Sequence, residues 1–252
     1  MSPTDQLESI AANPIIKTQY LIKRKPTTSR EELVAHWYAN HMPHIIRLQQ
    51  KAEEAGYPHA LRYLVTLYDA NEEGAHVWDG VAQLWWSEPL PPIKEPIGSK
   101  PTDTFQQKVE PYVPWATREY VVMQGADHLS AEPLTLNEPF PSTRSGFYKI
   151  SFLVGASTIR NGEADPDEFF AHWLNVHAQN AESVMQQAGG FRYVVSHSLD
   201  PQQDPYVGMA ELYFPDRESW LSFIRNLKPD GMEKWVDSSL VLGSVTEMIG
   251  IP

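Results

Sequence analysis

Two rhythms of apolar positions run along this chain, and each occurs twice. On a helical wheel Leu33, Val34, Trp37, His41 and Leu48 fall within one stripe about 100° wide, the width of a face turned towards a core. Phe169, Phe170, Trp173 and His177 repeat the arrangement. The second rhythm is that of β strands, short runs rich in β-branched and aromatic residues. It predicts strands over Ile15–Arg24, Leu61–Tyr68, Gly80–Trp86 and Thr117–Met123, and again over Phe147–Val154, Phe191–Val195, Gly208–Phe214 and Val245–Ile249. The helices carry their own punctuation. Ser29-x-x-Glu32 and Asp165-Pro166-x-Glu168 are starts, and Gly56-Tyr57-Pro58 and Gly189-Gly190 are stops. The first helix is expected from Arg30 to about Ala55 with a bend at Pro43, and its counterpart from Pro166 to Gln187. Shorter helices are expected over Thr104–Val109 and after Pro215-Asp216-Arg217-Glu218.

The order of elements is β-α-β-β-α-β in each half. Leu61-Arg62-Tyr63-Leu64-Val65 matches Phe191-Arg192-Tyr193-Val194-Val195, and Gly80–Trp86 matches Gly208–Phe214. The expected fold class is therefore α+β: two ferredoxin-like βαββαβ repeats packed sheet to sheet as an intramolecular dimeric α/β barrel. The first repeat spans 15–124 and the second 147–252. The Pro-containing stretch 125–146 is read as a linker, and 1–14 as a loose polar leader.

Composition narrows the chemistry. Cysteine is absent, which excludes disulfides, thiolate metal sites and Cys nucleophiles. No apolar run is long enough to span a membrane, and a net charge of −12 opposes nucleic acid and anionic lipid. The first residues lack the pattern of a signal peptide, so a cytoplasmic setting is the expectation. Eight Trp and eleven Tyr suit pockets for flat or aromatic ligands.

The candidate chemistry sits on the doubled helix, where His36-Trp37-x-x-x-His41 returns as His172-Trp173-x-x-x-His177. His41 and His177 lie in the middle of an apolar stripe. Imidazole titrates near neutrality, so these two are the acid/base candidates, against the plainer reading of a buried, satisfied His. His36 and His41 lie roughly 140° apart and no His-Glu-x-x-His is present, so no metal site is expected. Tyr63 and Tyr193, with Tyr20, could hydrogen-bond an enolate or phenolate oxygen. Arg62 and Arg192 could hold a substrate carboxylate or pair with an acid. Gln83, Trp85, Glu211 and Tyr213 share a face that is expected to look into the barrel, with Glu211 meeting Arg62 or Arg192. Trp37 and Trp173 are packing residues or pocket walls. His36, His172 and His44 complete the substrate-binding candidates. His59, His76, His128 and His197 carry no repeat signal. No Gly-rich phosphate loop or Gly-x-Ser-x-Gly is present.

Lys23-Arg24-Lys25, the Ser29-capped helix, His36 to Pro43 and Arg62-Tyr63 together resemble the EthD-like family of dimeric α/β barrel proteins, and the resemblance covers roughly 16–123 and 147–250. It implies a pocket between sheet and helices in each unit, no cofactor, a small aromatic substrate as partner, and a monomer or homodimer. The activity it implies is that of a cofactor-independent lyase or isomerase (dehydratase, decarboxylase or cyclase) on an aromatic or polyketide-like compound. A cofactor-free monooxygenase of phenols and a non-catalytic small-molecule binding protein stand as alternatives, with haem binding a further one. The second half departs from the family pattern, since His41-Met42-Pro43-His44 becomes His177-Ala178-Gln179-Asn180.

Overall fold

A computed structural model describes residues 12–70, 75, 77–91, 93, 95–125 and 140–252. Most of the expected leader and linker lies outside the described residues. The elements of the first half are β1 (Ala12–Ile22), α1 (Arg30–His36), α2 (Met42–Glu54), β2 (Ala60–Leu67), β3 (Gly80–Trp86), α3 (Thr104–Lys108) and β4 (Trp115–Met123). β5 (Ser142–Arg144) follows, within the stretch read as a linker. The second half holds β6 (Tyr148–Gly155), α4 (Ser157–Arg160), α5 (Pro166–His172), α6 (Ala178–Gln187), β7 (Arg192–Ser198), β8 (Gly208–Phe214), α7 (Arg217–Asn226), β9 (Ser238–Ser244) and β10 (Thr246–Ile251). The fold is mixed α+β around one large antiparallel sheet. Among the described residues no helix is long and apolar enough to cross a membrane.

The strands run β5-β10-β2-β3-β1-β4-β7-β8-β6-β9. Within it, β2-β3-β1-β4 and β7-β8-β6-β9 have the same internal order. The halves join by hydrogen bonds along their edges, Thr117–Ser198 to Val121–Val194 on one side and Thr246–Leu67 to Ile249–Leu64 on the other. Only Val245 separates β9, which pairs with β6, from β10, which pairs with β2, so the sheet closes on itself. This corrects the expectation of two sheets packed face to face. Edge joining satisfies the backbone groups that an open edge would leave unpaired. The last expected strand, Val245–Ile249, is present as β10, but β9 was not expected: Ser238, Ser239 and Gly243 are poor β formers, and ladder pairing to β6 overrides that.

The barrel interior is layered. Leu21, Val81, Trp115, Leu153, Met209 and Leu242 plug one end. The middle layer is charged. Lys17 lies 3.0 Å from Glu119 and 2.5 Å from Glu211, and Lys149 lies 2.7 Å from Glu211 and 2.8 Å from Glu247. Glu211 thus meets two lysines, not Arg62 or Arg192 as expected. Lys149 reaches Glu211 from the neighbouring strand β6 and Lys17 reaches it from β1, three strands away, whereas both arginines line the barrel mouth.

Two separate apolar cores lie outside the barrel, one per half, between helices and sheet. Trp37 and Trp173 anchor them, each fully buried. A Cβ on Gly208 would come within 2.7 Å of the Trp173 ring and 2.8 Å of a strand carbonyl, and one on Gly80 within 3.2 Å of Trp37. The glycine that opens each of β3 and β8 is what lets the indole lie against the sheet.

Ser29 and Asp165 cap their helices as expected, each accepting a first-turn N–H. The helix then does something the wheel misses. Residues Trp37–His41 and Trp173–His177 form a single π turn, closed by N–H of Met42 to C=O of Trp37 and of Ala178 to C=O of Trp173. One inserted residue rotates everything downstream. Met42 and Ile46 face the core in place of Leu48, which is 44% exposed. π turns of this kind concentrate at functional sites.

Candidate functional site

Each π turn faces a cavity between helix and sheet. The larger, about 360 Å³, is lined by Phe152, Trp173, His177, Tyr193, Leu212, Phe223, Asp230 and Met232. The smaller, about 160 Å³, is lined by Tyr20, His41, Tyr63, Leu84, Phe105 and Tyr112. Among the described residues no group of three or more His, Asp or Glu is placed to hold a metal ion.

In both cavities the histidine is held by an aspartate. His41 Nδ1 is 2.6 Å from Asp103 Oδ2, and His177 Nδ1 is 2.9 Å from Asp230 Oδ2. Asp103 is the N-cap of α3; its Oδ1 accepts from Gln106 N–H at 2.8 Å, which fixes the carboxylate in place. Asp230 Oδ2 also accepts from Asn180 at 2.9 Å, and Oδ1 from Met232 N–H at 3.3 Å. Burial raises the pKa of each acid, but the hydrogen bonds and the histidine outweigh it, so both stay below the usual Asp value. A carboxylate on Nδ1 selects the tautomer with its proton there and leaves Nε2 as the basic nitrogen.

Tyrosine hydroxyls share the cavities. Burial pushes Tyr20, Tyr63, Tyr112 and Tyr193 above the ordinary phenol value, so each is a neutral O–H donor near pH 7. The indole N–H of Trp37 donates to the Tyr63 oxygen at 3.4 Å, leaving that hydroxyl's own proton free to donate.

The structure thus brings His41, Tyr63 and Tyr20 to one cavity and His177, Tyr193 and Trp173 to the other. Trp37 stands behind Tyr63 rather than in the cavity wall. His36 turns to Thr104 Oγ1 at 2.9 Å, and His44 is exposed; neither is among the residues lining these two cavities. His172 packs on Trp235 at 5.0 Å, with Nε2 3.8 Å from Asp230 Oδ1. Arg62 and Arg192 line the barrel mouth, on the opposite face of the sheet from the histidines, because they alternate with Tyr63 and Tyr193 along β2 and β7. His76 and His128 lie outside the described residues. His197 is buried against Phe170, ring to ring at 4.1 Å.

Sequence reasoning missed Asp103 and Asp230. The available signal was a second repeat, Lys100-Pro101-Thr102-Asp103 against Lys228-Pro229-Asp230, just before each short turn that follows.

Residues 161–239, which carry His177, Tyr193 and Asp230, match the family model of the EthD domain. No curated protein matches the chain. Among solved structures, it is similar to a mutant chlorite dismutase from Candidatus Nitrospira defluvii, with 10% identity, 95% of this chain and 94% of that chain covered, and a TM-score of 0.49. It is also similar to a heme-binding protein from Thermus thermophilus, with 10% identity, 96% and 93% covered, and a TM-score of 0.43. The EthD match contains the whole His177 helix turn and its aspartate, and it stops short of the first half.

Proposed function

We propose that the chain is a tandem pair of ferredoxin-like EthD-type repeats and works as a cofactor-independent lyase or isomerase on a small aromatic or polyketide-like ketone or acid. The observation that carries the reading is the His–Asp pair set in an apolar cavity beside a neutral tyrosine hydroxyl, present in both halves. His177 Nε2 takes the proton from the carbon next to a substrate carbonyl. The Tyr193 O–H donates to the resulting enolate oxygen, and Asp230 stabilises the imidazolium. The proton then returns from Nε2 either to a β-hydroxyl, which leaves as water, or to carbon. The apolar walls keep bulk water from the enolate and strengthen each of these interactions. At about 360 Å³ the second cavity falls within the usual range for ligand sites, ~300–1,000 Å³. The first is close to the ~150 Å³ that holds a benzene ring.

The test uses acetophenone in D₂O, following deuterium entry by NMR, and β-hydroxypropiophenone, following enone formation by absorbance. Wild-type protein is expected to accelerate at least one of the two, and His177→Ala with His41→Ala to abolish it. Rates equal to buffer for both probes, or full activity in the double variant, would remove the assignment. Oxygen consumption with a phenol probe in place of either reaction would favour the monooxygenase reading.

A further inference from the structure

The barrel interior carries more positive than negative charge, in a chain whose net charge is −12. Lys17, Lys149, Arg62, Arg144 and Arg192 stand against Glu119, Glu211 and Glu247. The three carboxylates are already taken. Lys17 and Lys149 bind Glu119, Glu211 and Glu247 between them, and Arg144 binds Glu247 at 2.6 Å. Arg62 and Arg192 are left. They occupy matched positions on β2 and β7 and line one mouth of the barrel with Trp85 and Tyr213, above Lys17, Glu119 and Glu211. Arg62 lies over the Trp85 ring at 4.7 Å, and Arg192, only 8% exposed, donates to the neutral Gln124 amide. Among the described residues neither guanidinium has a carboxylate within ion-pair distance. Burial, and then the neighbouring Arg192 charge, draw the Arg62 pKa down from its ordinary value.

Two converging guanidiniums with no carboxylate in contact, and with Glu119, which acts on Arg62 at longer range, already held by Lys17, are under-compensated in a half-buried site, and they are the arrangement that planar, bidentate oxyanion recognition uses. We propose that this mouth is a binding site for an oxyanion, held between Arg62 and Arg192 and separate from both His–Asp cavities. The free space among these side chains is about 10 Å³, room for little more than one oxygen atom. The ligand therefore sits at the mouth and inserts a terminal carboxylate or phosphate, with the Trp85 ring beside it. The site is independent of the acid/base cavities, since it uses the opposite face of the sheet.

Titration calorimetry with inorganic phosphate and, separately, with succinate, at ionic strength matched with NaCl, tests it and tells the two sources apart. Saturable binding of one anion per chain is expected for at least one probe. Arg62→Gln and Arg192→Gln should each weaken it about tenfold or more, the scale of one lost charge-assisted hydrogen bond. Arg62→Lys keeps the charge and the stem on Trp85 but loses the planar fork, so it should weaken binding severalfold even if the Gln variants misfold. Absence of saturable binding for both probes, or wild-type affinity in a folded Arg62→Lys or Arg62→Gln protein, would overturn the site.

Discussion

His41 and His177 occupy the same place in the same π turn, and each is held by an aspartate through Nδ1, yet the spaces before them differ. His41 is stacked face-on upon Phe105 at 4.4 Å and looks into a small cavity ringed by Tyr20, Tyr63 and Tyr112. Among the described residues no ring stacks on His177; its side chain is 23% exposed, and its cavity is more than twice as large. Phe152 stands where the first half has Tyr20, in the same register opposite Ala210 as Tyr20 is opposite Ala82. The lesson is that the dyad belongs to the backbone plan, whereas the size and polarity of the cavity are set by a few side chains around it. The second half leaves the larger space, and the first is smaller and lined by three tyrosines.

The largest effect expected from breaking this comparison is on rate. His177→Ala should lower turnover of β-hydroxypropiophenone by ~10²–10⁴, the scale of general acid–base help, while His41→Ala should change it by less than about threefold. Equal losses from the two variants would mean that the cavities are not specialised. The barrel interior supplies the control, because there each half contributes one buried lysine that bridges two glutamates. Lys149→Met and Lys17→Met each leave buried carboxylates under-compensated and should cost ~3–5 kcal/mol in denaturant unfolding, by similar amounts.

A further difference is His197, for which β2 has Leu67 at the matching position. Burial, aided by Arg118, lowers the His197 pKa to about 3. Its folded value is below its unfolded value, so its contribution to stability is full above about pH 6.5. It declines as pH falls towards 3, where the unfolded chain takes up the proton first. The loss has an upper bound of about 4–5 kcal/mol. Unfolding free energies measured between pH 7 and pH 4 should show a shallower decline for His197→Leu; an unchanged slope would sink this account. The smallest effect expected is for Phe152→Tyr, which gives the second cavity the first one's hydroxyl and should weaken acetophenone binding a few-fold by calorimetry.

Much of this was legible in the residues. The strand runs, the caps at Ser29 and Asp165, the stops at Gly56 and Gly189, and the doubled His-Trp helix all rest on local chemistry, and local chemistry is what a sequence displays. Placing His41 on the inner stripe also succeeded, since it lies at the end of the π turn and the wheel holds until the extra residue is inserted. Leu48 failed for the complementary reason. A π turn has no composition of its own, so its one-residue rotation cannot be read from periodicity.

The amino-acid order by itself determined the elements, their doubling and the histidines that face inward, because period and capping act over a few residues. Tertiary structure alone decided three things. It brought Asp103 to His41 across 62 positions and Asp230 to His177 across 53. It joined the halves edge to edge, so that the strand faces carrying Lys17, Lys149 and Glu211 became an interior ionic layer instead of an apolar seam. It also turned Arg62 and Arg192 away from the histidine cavities to the barrel mouth. Each depends on which distant strand supplies the neighbour, a choice made by backbone hydrogen bonding between edges and invisible to any local window.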